Sequence, residues 1–345
     1  MPTAETLRDL FSPAEELTIV CHNNPDPDCL ASALALGRIA AATGIDKRRI
    51  LYSGDISHQQ NRAFINLLDI DLNEFDVESV QNRPEGSLLA FVDHAKPGDN
   101  NRVPKETPID IVIDHHPAEN IEARFVDHRE EIGATATILT EYVRALNVEL
   151  DRTLATALLF AIRRETLGFL RGVTKAEYAA AGYLHDAADL DLLRQLSSPS
   201  VSGATVDAIA KAIDNRVVRG AVLITNVGRT GERDALPQAA DYLATLEGVE
   251  TAIVFDIVEK SIHLSARSTD PRVHIGNVLS AAFDDVGSAG GHREMAGGEI
   301  SLGLFADYTP EDEGLVEIVG KIVTARLVAG LNLENEDSGS RTESQ

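Results

Sequence analysis

Cysteine is nearly absent from this chain. Only Cys21 and Cys29 occur in 345 residues, too few for a disulfide framework. They form no Cys-x-x-Cys pair of the kind that binds zinc, so they read as small packing residues. Long apolar runs are missing too. With no stretch of about 18 apolar residues and no signal peptide, the chain reads as soluble and cytoplasmic, with no membrane partner. The third scarcity is positive charge. Lys and Arg number 31 against 55 Asp and Glu, for a net charge of −24, and Lys is the rarer of the two cations. Such a surface repels nucleic acid over most of its area and offers no evident basic track, so long duplexes and processive work on long strands are not expected. Any phosphate binding must be local. The acidic residues are interspersed among periodic apolar segments, which argues against disorder. The charge reads as adaptation to the high-salt cytoplasm of a halophilic archaeon, where screening removes the self-repulsion.

At this length, with 43% hydrophobic residues, the chain can build two cores. Strand-like and helix-like stretches alternate through its first two-thirds: strands at 17–21, 49–53, 88–92 and 109–113, and helices at 29–42, 61–68, 134–146, 152–163 and 175–185. This predicts an α/β fold with a doubly wound, mainly parallel sheet. Ser197 to Gly203 mark a linker. The pattern then restarts with strands at 221–225, 251–257, 261–266 and 300–305 and helices at 237–246, 275–283 and 315–328. The expected division is a metal-binding domain over 1–190, a linker over 191–217, a smaller α/β domain over 218–330 and a disordered tail over 331–345, with a catalytic cleft between the two domains. No internal repeat is visible.

Five clusters carry chemistry. His22, Asp26 and Asp28 follow an apolar strand, and Pro25 and Pro27 stiffen the turn between them. Asp26 and Asp28, two residues apart in an extended turn, can address two different ions; the plainer reading is that Asp28 caps the next helix. Asp93 and His94 end a second strand. Asp93 alone would be an ordinary turn residue, but beside the other clusters it is a candidate bridging carboxylate, while His94 either supports a ligand or is ordinary. Asp114, His115 and His116 end a third strand. Two adjacent His can point apart, one to a metal and one to substrate, and Asp114 can fix a ring tautomer. Glu165 is a fourth, weaker candidate; its plainer role is to pair with Arg163 or Arg164. Gly290, Gly291 and His292 form the fifth cluster. Open α/β sheets place ligand sites at strand C-terminal ends, and carboxylate with imidazole suits divalent ions.

The pattern His22-x-x-Pro25-Asp26-x-Asp28, with Asp93 and Asp114-His115-His116, resembles the first three motifs of the DHH phosphoesterase family. Gly290-Gly291-His292, with Arg267, resembles the DHH-associated C-terminal domain found in RecJ-like nucleases and in nanoRNases that act as pAp phosphatases. The resemblance spans roughly residues 15–305. It implies that His22, Asp26 and Asp93 hold one metal, that Asp28, Asp93, His115 and Glu165 hold the other, and that Asp93 bridges them. His116 would face the phosphate, and Arg267, Gly290, Gly291 and His292 would bind substrate. The implied cofactor is two divalent ions, Mn2+ first, with Mg2+ or Co2+ as alternatives, which would activate a water for in-line attack on phosphorus.

One departure stands out: Glu165 occupies the place of the family's fourth-motif Asp. The expected activity is hydrolysis of phosphate esters in short oligonucleotides or small nucleotides of the nanoRNA, pAp or cyclic dinucleotide class, with a homodimer left open. Two alternatives are carried. One is a catalytically weakened nucleotide-binding regulator or nuclease-complex subunit, which Glu165 favours. The other is an inorganic pyrophosphatase, a group expected to match only the N-terminal domain.

Overall fold

A computed structural model describes residues 3–54, 56, 59–98, 100–197, 201–229, 235–306, 313–331 and 333. The expected disordered tail falls almost wholly outside the described residues. The chain divides into two compact units, Met1–Pro199 and Ser200–Gln345.

Unit 1 opens with helix α1 (Ala4–Phe11), then β1 (Glu16–Asn23), α2 (Pro27–Ala42), β2 (Lys47–Ser53), α3 (Gln59–Leu68), β3 (Asn73–Glu74), α4 (Val77–Gln81), β4 (Ser87–Val92), β5 (Ile109–Asp114) and β6 (Ala123–His128). Four helices complete it: α5 (Thr135–Ala145), α6 (Arg152–Glu165), α7 (Lys175–His185) and α8 (Leu190–Ser197). The sheet order is β3-β2-β1-β4-β5-β6, and its pairs are parallel. β1 and β4 are neighbours, with Ile19 opposite Ala90 and Val20 opposite Phe91. From β1 the chain builds outward through β2 and β3, then returns to lay down β4, β5 and β6 on the other side. The order therefore reverses between β1 and β4, and the crevice beyond their C-terminal ends is where doubly wound sheets bind ligands. Being parallel, β1, β4 and β5 deliver His22, Asp93 and Asp114 to one edge.

The strands read as continuous apolar runs because both faces are covered, one by α2, α5 and α6 and the other by α4 and loop residues such as Val103. Leu17, Ile19, Val92, Ile111 and Ile113 belong to the larger core with α2, α5 and α6, while Val20, Leu89, Phe91 and Val112 face a second cluster. Helix α2 is buried along most of its length, and its Ala-rich sequence lets it lie close to the sheet. Asp26 caps it: Oδ1 accepts from the Asp28 and Cys29 amides at 2.9 and 3.1 Å. The capping role considered for Asp28 thus falls to Asp26. Phe64 of α3 stacks on Phe160 of α6 at 5.4 Å.

Unit 2 comprises α9 (Gly203–Asp214), β7 (Val217–Arg219), β8 (Val222–Arg229), α10 (Ala235–Leu243), β9 (Thr251–Val258), β10 (Ser261–Ser268), α11 (Ile275–Phe283), β11 (Gly287–Gly291), β12 (Met295–Ser301), a 3-10 turn at Gly303–Phe305 and α12 (Glu313–Gly330). Its sheet runs β11-β12-β10-β9-β8-β7. It is mixed: β8 and β9 are parallel and the remaining pairs antiparallel.

Several expectations need correction. Within the segment 191–217, α8 runs to Ser197 and α9 spans Gly203–Asp214. The strand expected over 300–305 lies earlier, at β12, and is followed by a 3-10 turn. The glycine-rich stretch before His292 is a strand, β11, held by its partner β12 rather than by its own propensity. Strand β6 was missed altogether, its alternation interrupted by charged residues.

Candidate metal centre

Three ring orientations build the site. The Nδ1 of His22 lies 2.9 Å from the Asn23 carbonyl oxygen, that of His94 2.9 Å from Val92 O, and that of His115 3.0 Å from Ile132 O. A carbonyl oxygen only accepts, so each Nδ1 carries the proton and each neutral ring presents Nε2 as a lone pair. For His22 and His115 that lone pair points at carboxylates. His22 Nε2 stands 3.6 Å from Asp93 Oδ2 and 3.9 Å from Asp26 Oδ1; His115 Nε2 stands 3.6 Å from Asp93 Oδ1 and 3.8 Å from Asp28 Oδ2. These separations are too long for hydrogen bonds. Two atoms bound to one ion through bonds of about 2.1 Å lie roughly 3.0 to 4.2 Å apart, which is the spacing found. Asp93 is reached by His22 on one oxygen and by His115 and His116 on the other, with His116 Nδ1 at 3.7 Å from Oδ1. This is the geometry a bridging carboxylate needs.

The residues fit a divalent ion on independent grounds. His115 Nε2 is buried with no hydrogen-bond partner, as are Asp114 Oδ2 and His94 Nε2. Asp28 and Asp93 are nearly inaccessible to solvent. Without a cation, burial and the neighbouring charges of Asp93, Glu165 and Asp26 push the Asp28 carboxyl well up. Burial alone would lower His22, but the Asp93 carboxylate and the Asp26 charge outweigh it and raise the ring to about 10. The metal-free site thus holds a proton where a metal would otherwise offset its negative charge.

His116 is different. Its Nδ1 donates to Asp114 Oδ1 at 3.0 Å; this bond, against partial burial and with help from Asp93, raises it to about 9. Its side chain is 52% exposed, so it faces solvent as a cation. His94 stacks on Phe91 at 4.4 Å, and burial lowers it to about 4, which keeps it neutral beside the site. Cys29 packs as expected, its Sγ 3.5 Å from Val92 O, and it lies near enough to His22 and Asp93 to share a cluster with them.

Glu165 ends α6 and feels the site electrostatically: burial and the charges of Asp26 and Asp93 raise it, while His115 and Arg171 pull it down. Among the described residues it belongs to neither potential metal cluster, His22 with Cys29 and Asp93 or Asp93 with His115 and His116. In unit 2, Arg267 Nε donates to Asp241 Oδ1 at 2.6 Å and Nη1 donates to Ser265 Oγ at 3.2 Å, so this expected substrate cation already has an anionic partner. His292 is exposed just beyond β11. The open conformation at Gly291 (φ 144°) brings its carbonyl against Gly276, where a Cβ would sit 2.1 Å away; only glycines permit that approach.

The sequence reading missed the segment between β6 and α5. The amides of Thr135 and Ala136 donate to Asp28 at 2.8 Å, and Thr135 Oγ1 donates to Asp93 Oδ1 at 2.8 Å. A usable signal was present: Ala134 stands at the N-cap with no capping side chain, so the first helical amides had to find an acceptor elsewhere. Asp127 at the end of β6 is likewise bound by Arg129 and by the Tyr142 hydroxyl, and His128 Nε2 donates to the His116 carbonyl at 2.6 Å.

Residues 16–162 match the DHH family, N-terminal domain, and residues 219–312 match the DHHA1 domain. An uncharacterized protein of Methanocaldococcus jannaschii is 38% identical over 323 residues, 93% of this chain and 65% of its own length, so this chain spans about two-thirds of that relative. A probable manganese-dependent inorganic pyrophosphatase of Listeria monocytogenes is 27% identical over 258 residues, covering 70% of this chain and 78% of that protein. This corrects the expectation that pyrophosphatases match only the N-terminal domain, since the match is longer than unit 1, which ends at Pro199. In fold, the chain resembles the crystal structure of an exopolyphosphatase-related protein from Bacteroides fragilis, with TM-score 0.71, 14% identity and coverage of 95% of this chain and 97% of that one. No helix among the described residues is long and apolar enough to cross a membrane.

Proposed function

Starting from a chain that belongs to the DHH phosphoesterase family, we propose that it hydrolyses phosphate esters in short oligonucleotides or small nucleotides with two Mn2+ ions. The observation that carries this reading is Asp93, a buried carboxylate approached at 3.6 Å by His22 on one oxygen and by His115 on the other. His22, Asp26 and Asp93 would hold one ion, and Asp28, Asp93 and His115 the other, with Glu165 a further candidate for the second. When bound, such ions polarise the phosphoryl oxygens and acidify the attacking water. The protein's own groups do the rest. Asp93 and the fixed His tautomers hold their lone pairs in place before substrate arrives, so little reorganisation accompanies reaction. His116, cationic up to about pH 9 and held by Asp114, donates to a phosphoryl or leaving oxygen. In unit 2, Arg267 and His292 are the proposed contacts to a substrate phosphate or base, with Gly290 and Gly291 allowing close backbone approach.

The pyrophosphatase reading is kept because the match to such proteins covers 70% of this chain. One assay separates the candidates: purified protein with Mn2+ in high salt, offered short labelled RNA, pAp, cyclic di-AMP and pyrophosphate. Turnover of the nucleotides supports the proposal. Turnover of pyrophosphate alone supports the pyrophosphatase, and tight nucleotide binding without turnover supports a weakened regulator.

A further inference from the structure

Three of the five residues from Ile132 to Ala136, before and at the start of α5, grip the proposed ligands of one half of the metal centre. Ile132 offers its carbonyl to His115 Nδ1 at 3.0 Å. Gly133 donates its amide to Glu177 Oε1 at 2.9 Å. Thr135 donates its amide to Asp28 Oδ2 and its hydroxyl to Asp93 Oδ1, and Ala136 donates to Asp28 Oδ1, all at 2.8 Å. The carboxylate of Asp28, 107 residues earlier in the chain, therefore caps α5 in place of a local side chain. Glu177 fixes this strap from behind. It is fully buried, and its other oxygen accepts from the Thr174 amide and hydroxyl at 2.6 Å. Gly133 admits no side chain, since a Cβ there would lie 2.4 Å from the Gly172 carbonyl oxygen. The strap thus lies flush against the turn that follows Glu165.

The other half of the centre is held differently. His22 bonds to the carbonyl of its neighbour Asn23, and Asp26 bonds to the amides of α2; of this half's ligands, the shared Asp93 is the one bonded from the strap, at Oδ1. We propose that Thr135 and Glu177 are positioning residues chiefly for the ion held by Asp28, Asp93 and His115, and that the ion held by His22, Asp26 and Asp93 depends on them only through the shared Asp93. Thr135 locks Asp93 Oδ1 in the orientation that faces His115, and Glu177 holds the strap that orients Asp28 and His115. The inference rests on the two-ion reading above.

Isothermal titration of metal-stripped full-length protein with Mn2+ alone tests it, comparing wild type with Thr135→Val, Thr135→Ser and Glu177→Gln, and with His22→Ala to identify which ion is which. Wild type binds two ions. Glu177→Gln weakens the Asp28-side ion by about tenfold or more, the usual effect of losing a group that orients a ligand, and leaves the His22-side ion within about threefold; Thr135→Val, which also frees the shared Asp93, weakens the Asp28-side ion as much and the His22-side ion less. Thr135→Ser, which keeps the hydroxyl, behaves as wild type. A general packing role predicts otherwise: both ions weaken equally, or Thr135→Ser fares no better than Thr135→Val. Either result, or no weakening at all, overturns the inference and leaves the two-ion reading standing. A wild-type protein that binds a single ion overturns both. Should Thr135→Val fail to fold by circular dichroism, Glu177→Gln decides by the same selectivity criterion.

Discussion

Glu165 Oε1 stands 3.2 Å from Arg171 Nη2, and the same nitrogen donates to the Glu165 carbonyl at 3.0 Å. The cation beside this carboxylate is therefore neither Arg163 nor Arg164, the pair considered from sequence. Leu167, Gly168 and Phe169 adopt φ of 50°, 71° and 69°, a run of left-handed residues that turns the chain back so that Arg171 reaches α6. Such a run is costly outside glycine, and Phe169 is pinned in it by stacking on Tyr178 at 5.4 Å.

This arrangement makes Glu165 testable. If it serves the second ion, Glu165→Gln, which keeps size but removes charge, lowers Mn2+ affinity by about tenfold or more, while Glu165→Asp retains most of it. Equal affinity of wild type, Asp and Gln forms by titration would assign Glu165 to the Arg171 pair alone and strengthen the weakened-regulator alternative.

Asp93→Ala and His115→Ala are expected to abolish hydrolysis with the fold intact, because each removes a proposed ligand from the middle of the centre. Retained activity above about a tenth, a barrier change under about 1.4 kcal/mol, would show that the residue does not hold an ion. Initial rates at saturating Mn2+, checked against far-ultraviolet circular dichroism, give the answer.

If Arg267 binds substrate as proposed, Asp241, which accepts from its Nε at 2.6 Å, competes for it. Arg267→Ala should raise KM for a nucleotide substrate about tenfold with little change in kcat, the mark of lost ground-state binding. Asp241→Asn, which frees the guanidinium, should lower KM. If Asp241→Asn raises KM as much as Arg267→Ala does, the pair acts as a unit that orients Arg267 instead of restraining it.

Protons should compete with metal. His22 is raised from its ordinary value to about 10 in the metal-free site, so its protonated form stabilises the metal-free fold below pH about 6.5, and that contribution is lost as pH rises through the folded value. Binding at His22 must displace this proton. Mn2+ affinity is therefore expected to rise with pH across the neutral range, about tenfold per unit for each proton released, while metal-free thermal stability falls. Calorimetry in two buffers of different ionisation enthalpy counts the protons. A pH-independent affinity would remove His22 from the ligand set.

Local pattern alone determined a good deal. The apolar runs of β1, β4 and β5, each ending in Asp or His, made the parallel sheet and its ligand-bearing edge readable, because a strand buried on both faces leaves a continuous apolar signature and its polar end residue breaks it abruptly. His22, Asp26, Asp28, Asp93, His115 and His116 were all identifiable in that way. Their division of labour was not. That Asp26 caps α2 while Asp28 caps α5, that Arg171 meets Glu165, that Thr135 bonds Asp93 from 42 residues away and that Glu177 bonds the Gly133 amide from 44 residues away depends on which amides each helix leaves unpaired and what the packed chain brings to them. Those acceptors lie far away in sequence, and no local periodicity records a hydrogen bond between segments that meet only when the sheet has closed and α5 has docked against it.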